Sequence, residues 1–119
     1  MTINVALAGA GAFGIKHLDG IRNIPDVKVI SVIGRELDKT QEVADKYGIA
    51  HVTTDLADSL KIKELDAVIL CTPTQMHASQ SIACLEAGKH VQVEIPLADS
   101  WADAQEVLRV QEEIGRAHV

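Results

Sequence analysis

The stretch INVALAGAGAFGIKH, residues 3–17, decides the fold. Residues 3–8 form a brief apolar run that Gly9 ends, and a helical pattern begins at Ala12, so the segment reads as strand, tight turn and helix. The turn is Gly9-Ala10-Gly11-Ala12-Phe13-Gly14, a G-x-G-x-x-G element. Gly9 permits the tight turn, Gly11 lets a pyrophosphate approach the backbone with no Cβ in the way, and Gly14 lets the helix lie close to the strand. The first helical turn also presents N–H groups with no carbonyl partner and the positive end of the helix dipole, a seat for phosphate. A glycine-rich turn with no ligand fits the same letters. The strand before it and the helix after it favour a dinucleotide, with Gly9, Gly11, Ala12, Phe13 and Gly14 as the cofactor-binding loop.

Outward from this unit the alternation continues. The first helix is expected over 12–23, closed by the turn Ile24-Pro25-Asp26, and a second strand over 27–33. A helix over 38–47 follows, with Asp38 as N-cap and Gly48 as its stop. A weaker strand at 50–53 and a short helix at 55–61 lead to Ala67-Val68-Ile69-Leu70-Cys71, an unbroken apolar run of the kind a strand buried on both faces shows. A helix over 75–87, N-capped by Thr74 behind Pro73, ends at Gly88-Lys89 before a fifth strand at 90–93. The last helix begins near Asp99 or Ser100, with Trp101, Ala104, Val107 and Leu108 as a stripe against the sheet. Such alternation requires right-handed crossovers, so the fold class is α/β: a doubly wound parallel sheet, the Rossmann NAD(P)-binding fold.

Composition supports a single domain and excludes several functions. The chain has 119 residues, 47% of them apolar and 24% charged, well inside the globular range. Phe13, Tyr47 and Trp101 are its only aromatics, so the core is built from Val, Ile, Leu and Ala. Eleven Lys and Arg against 17 Asp and Glu leave a net charge of -6 with no basic cluster, which argues against nucleic acid. No apolar run approaches the roughly 20 residues that span a bilayer, and no charged leader precedes the first strand, so a cytoplasmic location is expected. Cys71 and Cys84 have no His or Cys at metal-ligand spacing and are read as two reduced, buried thiols, with no metal expected.

Three further segments carry chemistry. NAD-binding folds of this kind place an acidic residue at the end of the second strand to bind the adenosine ribose. Here that place holds Gly34-Arg35, and a guanidinium without a neighbouring strand-end carboxylate suits the 2′-phosphate of NADP, with Lys39 as a possible helper. A solvated Arg offset by Glu36 is the plainer alternative. Thr72, Pro73, Thr74 and His77 follow the fourth strand on the carboxyl edge where such sheets bind ligands, and the two threonines can serve a ribose. A first-turn histidine is by itself more often a surface or capping residue. Glu94 ends the fifth strand on the same edge; His17, His51, His90 and His118 gain no role from spacing.

Taken together, AGAGAFG, ILCTPTQMHA, AGKHVQVEIPLA and the helix after them resemble the glucose-fructose oxidoreductase/inositol dehydrogenase/rhizopine catabolism (Gfo/Idh/MocA) family, from Ile3 to about Glu112. The resemblance implies a two-domain NAD(P)-dependent oxidoreductase, homo-oligomeric at full length. It places Gly9, Gly11, Ala12, Phe13 and Gly14 in the pyrophosphate loop, Arg35 at the adenosine end, Thr72, Pro73, Thr74 and His77 on the ribose side, and Glu94 on the nicotinamide side. One departure matters: most relatives carry Glu-Lys-Pro where this chain has Glu94-Ile95-Pro96. No lysine acid or base carries over, and the catalytic acid/base is expected beyond residue 119.

The resemblance therefore sets a dehydrogenase's cofactor half against two other readings, a non-catalytic nucleotide-binding module and an inactive truncated fragment. The domain is expected over 1–113. Residues 114–119, Ile-Gly-Arg-Ala-His-Val, read as one frame of a common short-read sequencing adapter, ATC GGA AGA GCA CAC GTC, and are expected to be a non-native tail with no strand. The edge of the fifth strand is then expected to be unpaired and to promote self-association.

Overall fold

In the computed structural model, β1 (Ile3–Ala8) is the central strand, and its composition explains the position. Val5 and Leu7 point to one face and Ala6 and Ala8 to the other, and all four are buried. The structure describes residues 2–114 and, of residues 117 and 118, the backbone alone. After β1 come α1 (Ala12–Ile21), β2 (Val27–Ile33), α2 (Leu37–Tyr47), β3 (His51–Thr53), α3 (Leu56–Leu60), β4 (Ala67–Leu70), α4 (Thr74–Glu86), β5 (His90–Val93), α5 (Trp101–Ile114) and β6 (Ala117–His118).

The strands form one parallel sheet in the order β3-β2-β1-β4-β5-β6. Strand order reverses between β1 and β4, which opens a crevice at their carboxyl ends. Leu18 of α1 and Ala44 of α2 pack on Val5, Leu7, Val32 and Ile69. On the opposite face Leu56, Cys84, Leu85 and Val110 of α3, α4 and α5 pack on Ala6, Ala8, Val68, Leu70 and Val91. Each large aliphatic buried this way contributes about 1.5–3 kcal/mol.

Helix ends follow backbone carbonyls more than side-chain type. The carbonyl of Glu36 accepts from Thr40 N at 3.0 Å and Thr40 Oγ1 at 2.7 Å, so Glu36 is the cap of α2 and Asp38 sits inside its first turn, where its charge meets the helix dipole. Gly48 stops α2 in the left-handed region, φ 68°, as expected. Pro73 O accepts from Met76 N at 2.9 Å, which makes Pro73 the cap of α4 and Thr74 its first helical residue rather than its cap. The helix α1 stops at Ile21, two residues early, because Ile24 N turns back to Ile21 O.

Two expectations at the carboxyl-terminal side are corrected. The buried stripe of α5 runs through Val107 and Val110, with Ala104 half-buried, whereas Trp101 is 78% exposed and Leu108 49%. Seven residues apart, the two exposed side chains lie on the same margin of the buried face, beyond Ala104. Ala117 and His118 do form a strand, pairing in parallel with Val91 and Gln92, so the outer edge of β5 is paired over half its length. Gly115, Arg116 and Val119, which belong to the expected tail, lie outside the described residues.

A Cβ at Gly14 would overlap the carbonyl oxygen of Gly9, while one at Gly20, in the same helix, meets nothing within 4 Å. Gly14→Ala is therefore expected to destabilise the fold by about 1–3 kcal/mol, and Gly20→Ala to stabilise it by about 0.5–1 kcal/mol. Urea denaturation followed by circular dichroism measures both; a Gly14→Ala midpoint at or above wild type contradicts the close-packing account.

Candidate functional site

The carboxyl ends of β1, β2 and β4 are tied together and leave a cleft above them. Gly9 N donates to Ile33 O at 2.8 Å, Cys71 N to Ala8 O at 2.7 Å and Gly34 N to Thr53 O at 3.1 Å. The cleft has a volume of about 590 Å³, within the usual range for small-molecule sites. Its floor is the glycine turn. Gly9 has φ +99°, and a Cβ there would collide with the Cys71 carbonyl, so both its conformation and its contacts exclude a side chain.

Gly11 differs from its neighbours: an added Cβ meets nothing within 4 Å, so packing within the protein gives no reason for glycine. It caps α1, no side chain caps the helix in its place, and no acidic residue occupies the first turn. The first-turn N–H groups at Ala12, Phe13 and Gly14 therefore open on a surface kept clear of side-chain atoms, and a pyrophosphate fits there. Ala12 and Phe13 are exposed, and Lys16 Nζ lies 5.3 Å from the Phe13 ring centroid.

At the end of β2, Gly34 has a steric cause, because a Cβ there would overlap the Thr40 hydroxyl. A carboxylate hung from that position would have to displace the Thr40 side chain, which packs α2 against β2. Arg35 and Lys39 line this end of the cleft, together with Glu36 and Glu42. Lys39 Nζ lies 3.4 Å from Glu36 Oε2, an exposed pair of little energetic weight, whereas Arg35 has no ion-pair partner among the described residues.

On the opposite wall, Thr72 and Pro73 line the cleft, and Thr72 Oγ1 donates to Gln80 Oε1 at 2.5 Å. Thr74 begins α4 outside the lining. His77 is 2% exposed, with Nδ1 2.8 Å from Pro96 O and Nε2 2.7 Å from Thr72 O. The ring lies between the loops after β4 and β5 with a carbonyl oxygen at each nitrogen, so a neutral imidazole donates to one of the two, and the ring backs the Thr72 end of the cleft. Glu94 does not line the cleft either. Its Oε1 lies 2.5 Å from His17 Nε2, on α1. Burial pushes the Cys84 thiol up to about 12. Cys71 is only half-buried; burial, aided by the charge of Glu94, raises it to about 11.

Several lining residues escaped notice in the sequence although their spacing is regular. Met76 and Gln80 of α4 continue the face that Pro73 begins, and Thr40 and Val43 of α2 the face that Glu36 and Lys39 begin, each at three-and-four spacing toward the cleft. Helix faces above the carboxyl ends of strands are the signal that reveals them.

Residues 3–119 match the family described as "Oxidoreductase family, NAD-binding Rossmann fold", the Gfo/Idh/MocA oxidoreductases. The chain belongs to this family. As a Gfo/Idh/MocA member it is 61% identical, over 113 residues, to 4-carboxy-2-hydroxymuconate-6-semialdehyde dehydrogenase of Sphingobium sp., a match covering 95% of this chain and 36% of that protein. It is 32% identical to inositol 2-dehydrogenase of Salmonella typhimurium, covering 100% of this chain and 36% of that one. Among solved structures, the WlbA dehydrogenase of Chromobacterium violaceum, crystallised with NADH and UDP-GlcNAcA, superposes with a TM-score of 0.90 at 29% identity, over 97% of this chain and 33% of that one. Biliverdin reductase of Synechocystis, in complex with biliverdin and NADP+, superposes with a TM-score of 0.91 at 27% identity, over 98% of this chain and 37% of that one. The Gfo/Idh/MocA chain thus spans about a third of the length of the relatives it matches. Among its described residues no helix is long and apolar enough to cross a membrane.

Gly11→Val tests the site without the packing penalty expected at Gly14. The variant is expected to keep the wild-type melting temperature within a few degrees and to weaken binding of either reduced nicotinamide dinucleotide at least ~10-fold, the cost of blocking backbone access to the pyrophosphate. Titration by dinucleotide fluorescence measures it, and unchanged affinity contradicts the placement.

Proposed function

We propose that this chain binds NADP in preference to NAD and forms the cofactor-binding part of a dehydrogenase. One observation carries the preference: Arg35 stands unpaired, among the described residues, at the adenosine end of the cleft, where Gly34 bears no carboxylate. A guanidinium there favours a 2′-phosphate through charge-assisted bonds, and the missing carboxylate removes both repulsion of that phosphate and a partner for a free ribose hydroxyl. The first turn of α1 holds the pyrophosphate through backbone N–H groups, with Gly9 and Gly11 clearing its approach. Thr72, fixed by Gln80 and by the His77 ring beneath its carbonyl, orients the ribose on the nicotinamide side.

The likeness to the Sphingobium enzyme supports a substrate of the semialdehyde dicarboxylate class, such as 4-carboxy-2-hydroxymuconate-6-semialdehyde, oxidised at a hydroxyl or hemiacetal carbon. When bound, the nicotinamide supplies the hydride acceptor or donor. Isoleucine at position 95 has no proton to give, and it is 80% exposed on the loop after β5. The acid/base group is therefore proposed to come from a substrate domain of the whole protein, which is also the proposed site of homo-oligomer assembly. Because the chain spans about a third of its relatives, binding without turnover is the behaviour expected of these 119 residues alone.

Wild-type affinity is expected to be higher for NADPH than for NADH. Arg35→Ala is expected to weaken NADPH binding by about 10- to 100-fold, the loss of one charged hydrogen-bond set, and to leave NADH binding nearly unchanged. Isothermal titration with both dinucleotides decides it: NADH bound as tightly as or more tightly than NADPH by the wild-type chain overturns the NADP reading, and binding of neither overturns cofactor binding.

A further inference from the structure

We propose that His17, Cys71 and Glu94 form a binding site for a thiophilic divalent cation of the Zn2+ class, at the carboxyl ends of β4 and β5. The three residues are far apart in the sequence, and no metal-ligand spacing announces them. The fold brings them together: Cys71 directly follows β4, Glu94 directly follows the adjacent β5, and His17 reaches over from the second turn of α1. One ligand atom from each, His17 Nε2, Cys71 Sγ and a Glu94 carboxylate oxygen, lies within 4.8 Å of the other two.

Those separations suit a shared ion. Zinc bonds of about 2.0–2.3 Å to N, O and S place tetrahedral ligands roughly 3.3–3.7 Å apart. The His17–Glu94 pair, at 2.5 Å, has to open by about an ångström and the sulfur to close by a similar amount, movements within the reach of side-chain torsions. The donor set selects the metal class: one thiolate, one imidazole and one carboxylate suit a borderline-soft ion such as Zn2+ and not Mg2+ or Ca2+, which demand oxygen. Three protein ligands leave one tetrahedral position for water or an added ligand.

Charge points the same way. As ligands, the Cys71 thiolate and the Glu94 carboxylate bring two negative charges to one point. A dication at the centre compensates both anions, and the site becomes neutral overall. On binding, the S–H bond gives way to an S–metal bond and the thiol proton passes to solvent; the Nε2 proton of His17 exchanges through solvent to Nδ1, which frees the Nε2 lone pair of the neutral imidazole for the metal, and no electrons change hands. The His17 and Glu94 side chains are 25% and 36% exposed, so an ion reaches them from solution. The His17–Glu94 hydrogen bond alone explains that pair but gives no reason for a sulfur beside it.

Cobalt(II) titration of the 119-residue chain under reducing conditions tests the site. The expected result is one Co2+ per chain, with tetrahedral visible bands and a near-ultraviolet thiolate-to-cobalt charge-transfer band, all lost on adding Zn2+. Cys71→Ser is expected to lose the charge-transfer band while keeping its circular dichroism spectrum, and His17→Gln and Glu94→Gln each to weaken Co2+ binding at least ~10-fold, as removal of one of three ligands requires. The proposal is overturned if the wild-type chain shows no charge-transfer band at saturating Co2+, if the band survives in Cys71→Ser, or if His17→Gln and Glu94→Gln both bind as tightly as wild type.

Discussion

The contact between the Gly9 carbonyl and the backbone of Gly14 governs this molecule. Helix α1 can lie against β1 only because neither Gly9 nor Gly14 carries a side chain: the Gly9 oxygen occupies the space of a Gly14 Cβ, and the Cys71 carbonyl occupies that of a Gly9 Cβ. Three elements meet at that point, β1, α1 and the end of β4. Their approach aims the first turn of α1 over the crevice where strand order reverses, so the same constraint that closes the core sets the uncapped N–H groups of that turn at the crevice. Gly11 stands apart, since the protein leaves the space beside it empty.

The end of β2 obeys a second steric rule. Thr40, buried and hydrogen-bonded to the Glu36 carbonyl, fills the position a side chain at residue 34 would need. Loss of the strand-end carboxylate is thus coupled to the packing of α2 on β2, and a single substitution does not restore it. Arg35 is free of such coupling, being exposed, and its charge stands at the lip of the cleft. The proposed preference for NADP therefore rests on one exposed guanidinium rather than on the packing of α2.

Much of this was legible in the residues. The bounds of β1, β2 and β5 agree with the apolar runs at 3–8, 27–33 and 90–93, because strands buried in a parallel sheet announce themselves by composition. The caps of α2 and α4 lie at Glu36 and Pro73 rather than at Asp38 and Thr74, because backbone carbonyls begin those helices and no capping side chain marks them. The buried face of α5 is not given by apolar spacing alone, because Trp101 is apolar yet 78% exposed. His17, Cys71 and Glu94 were invisible as a group: they meet only through the β4–β5 pairing and the crossing of α1, which local spacing does not encode. His77 looked like a surface residue in a first turn and is a buried bridge between two loops, for the same reason.

The central claim, that the first turn of α1 seats the cofactor's phosphates while Arg35 faces its adenosine end, is tested most directly by mapping amide shifts. In a 1H–15N correlation spectrum of the 15N-labelled chain titrated with NADPH, the amides of Gly9, Gly11, Ala12, Phe13 and Arg35 should move most, and those at the opposite, amino-terminal edge of the sheet should stay in place. Saturable shifts confined to that opposite edge, or none at millimolar NADPH, would contradict the account.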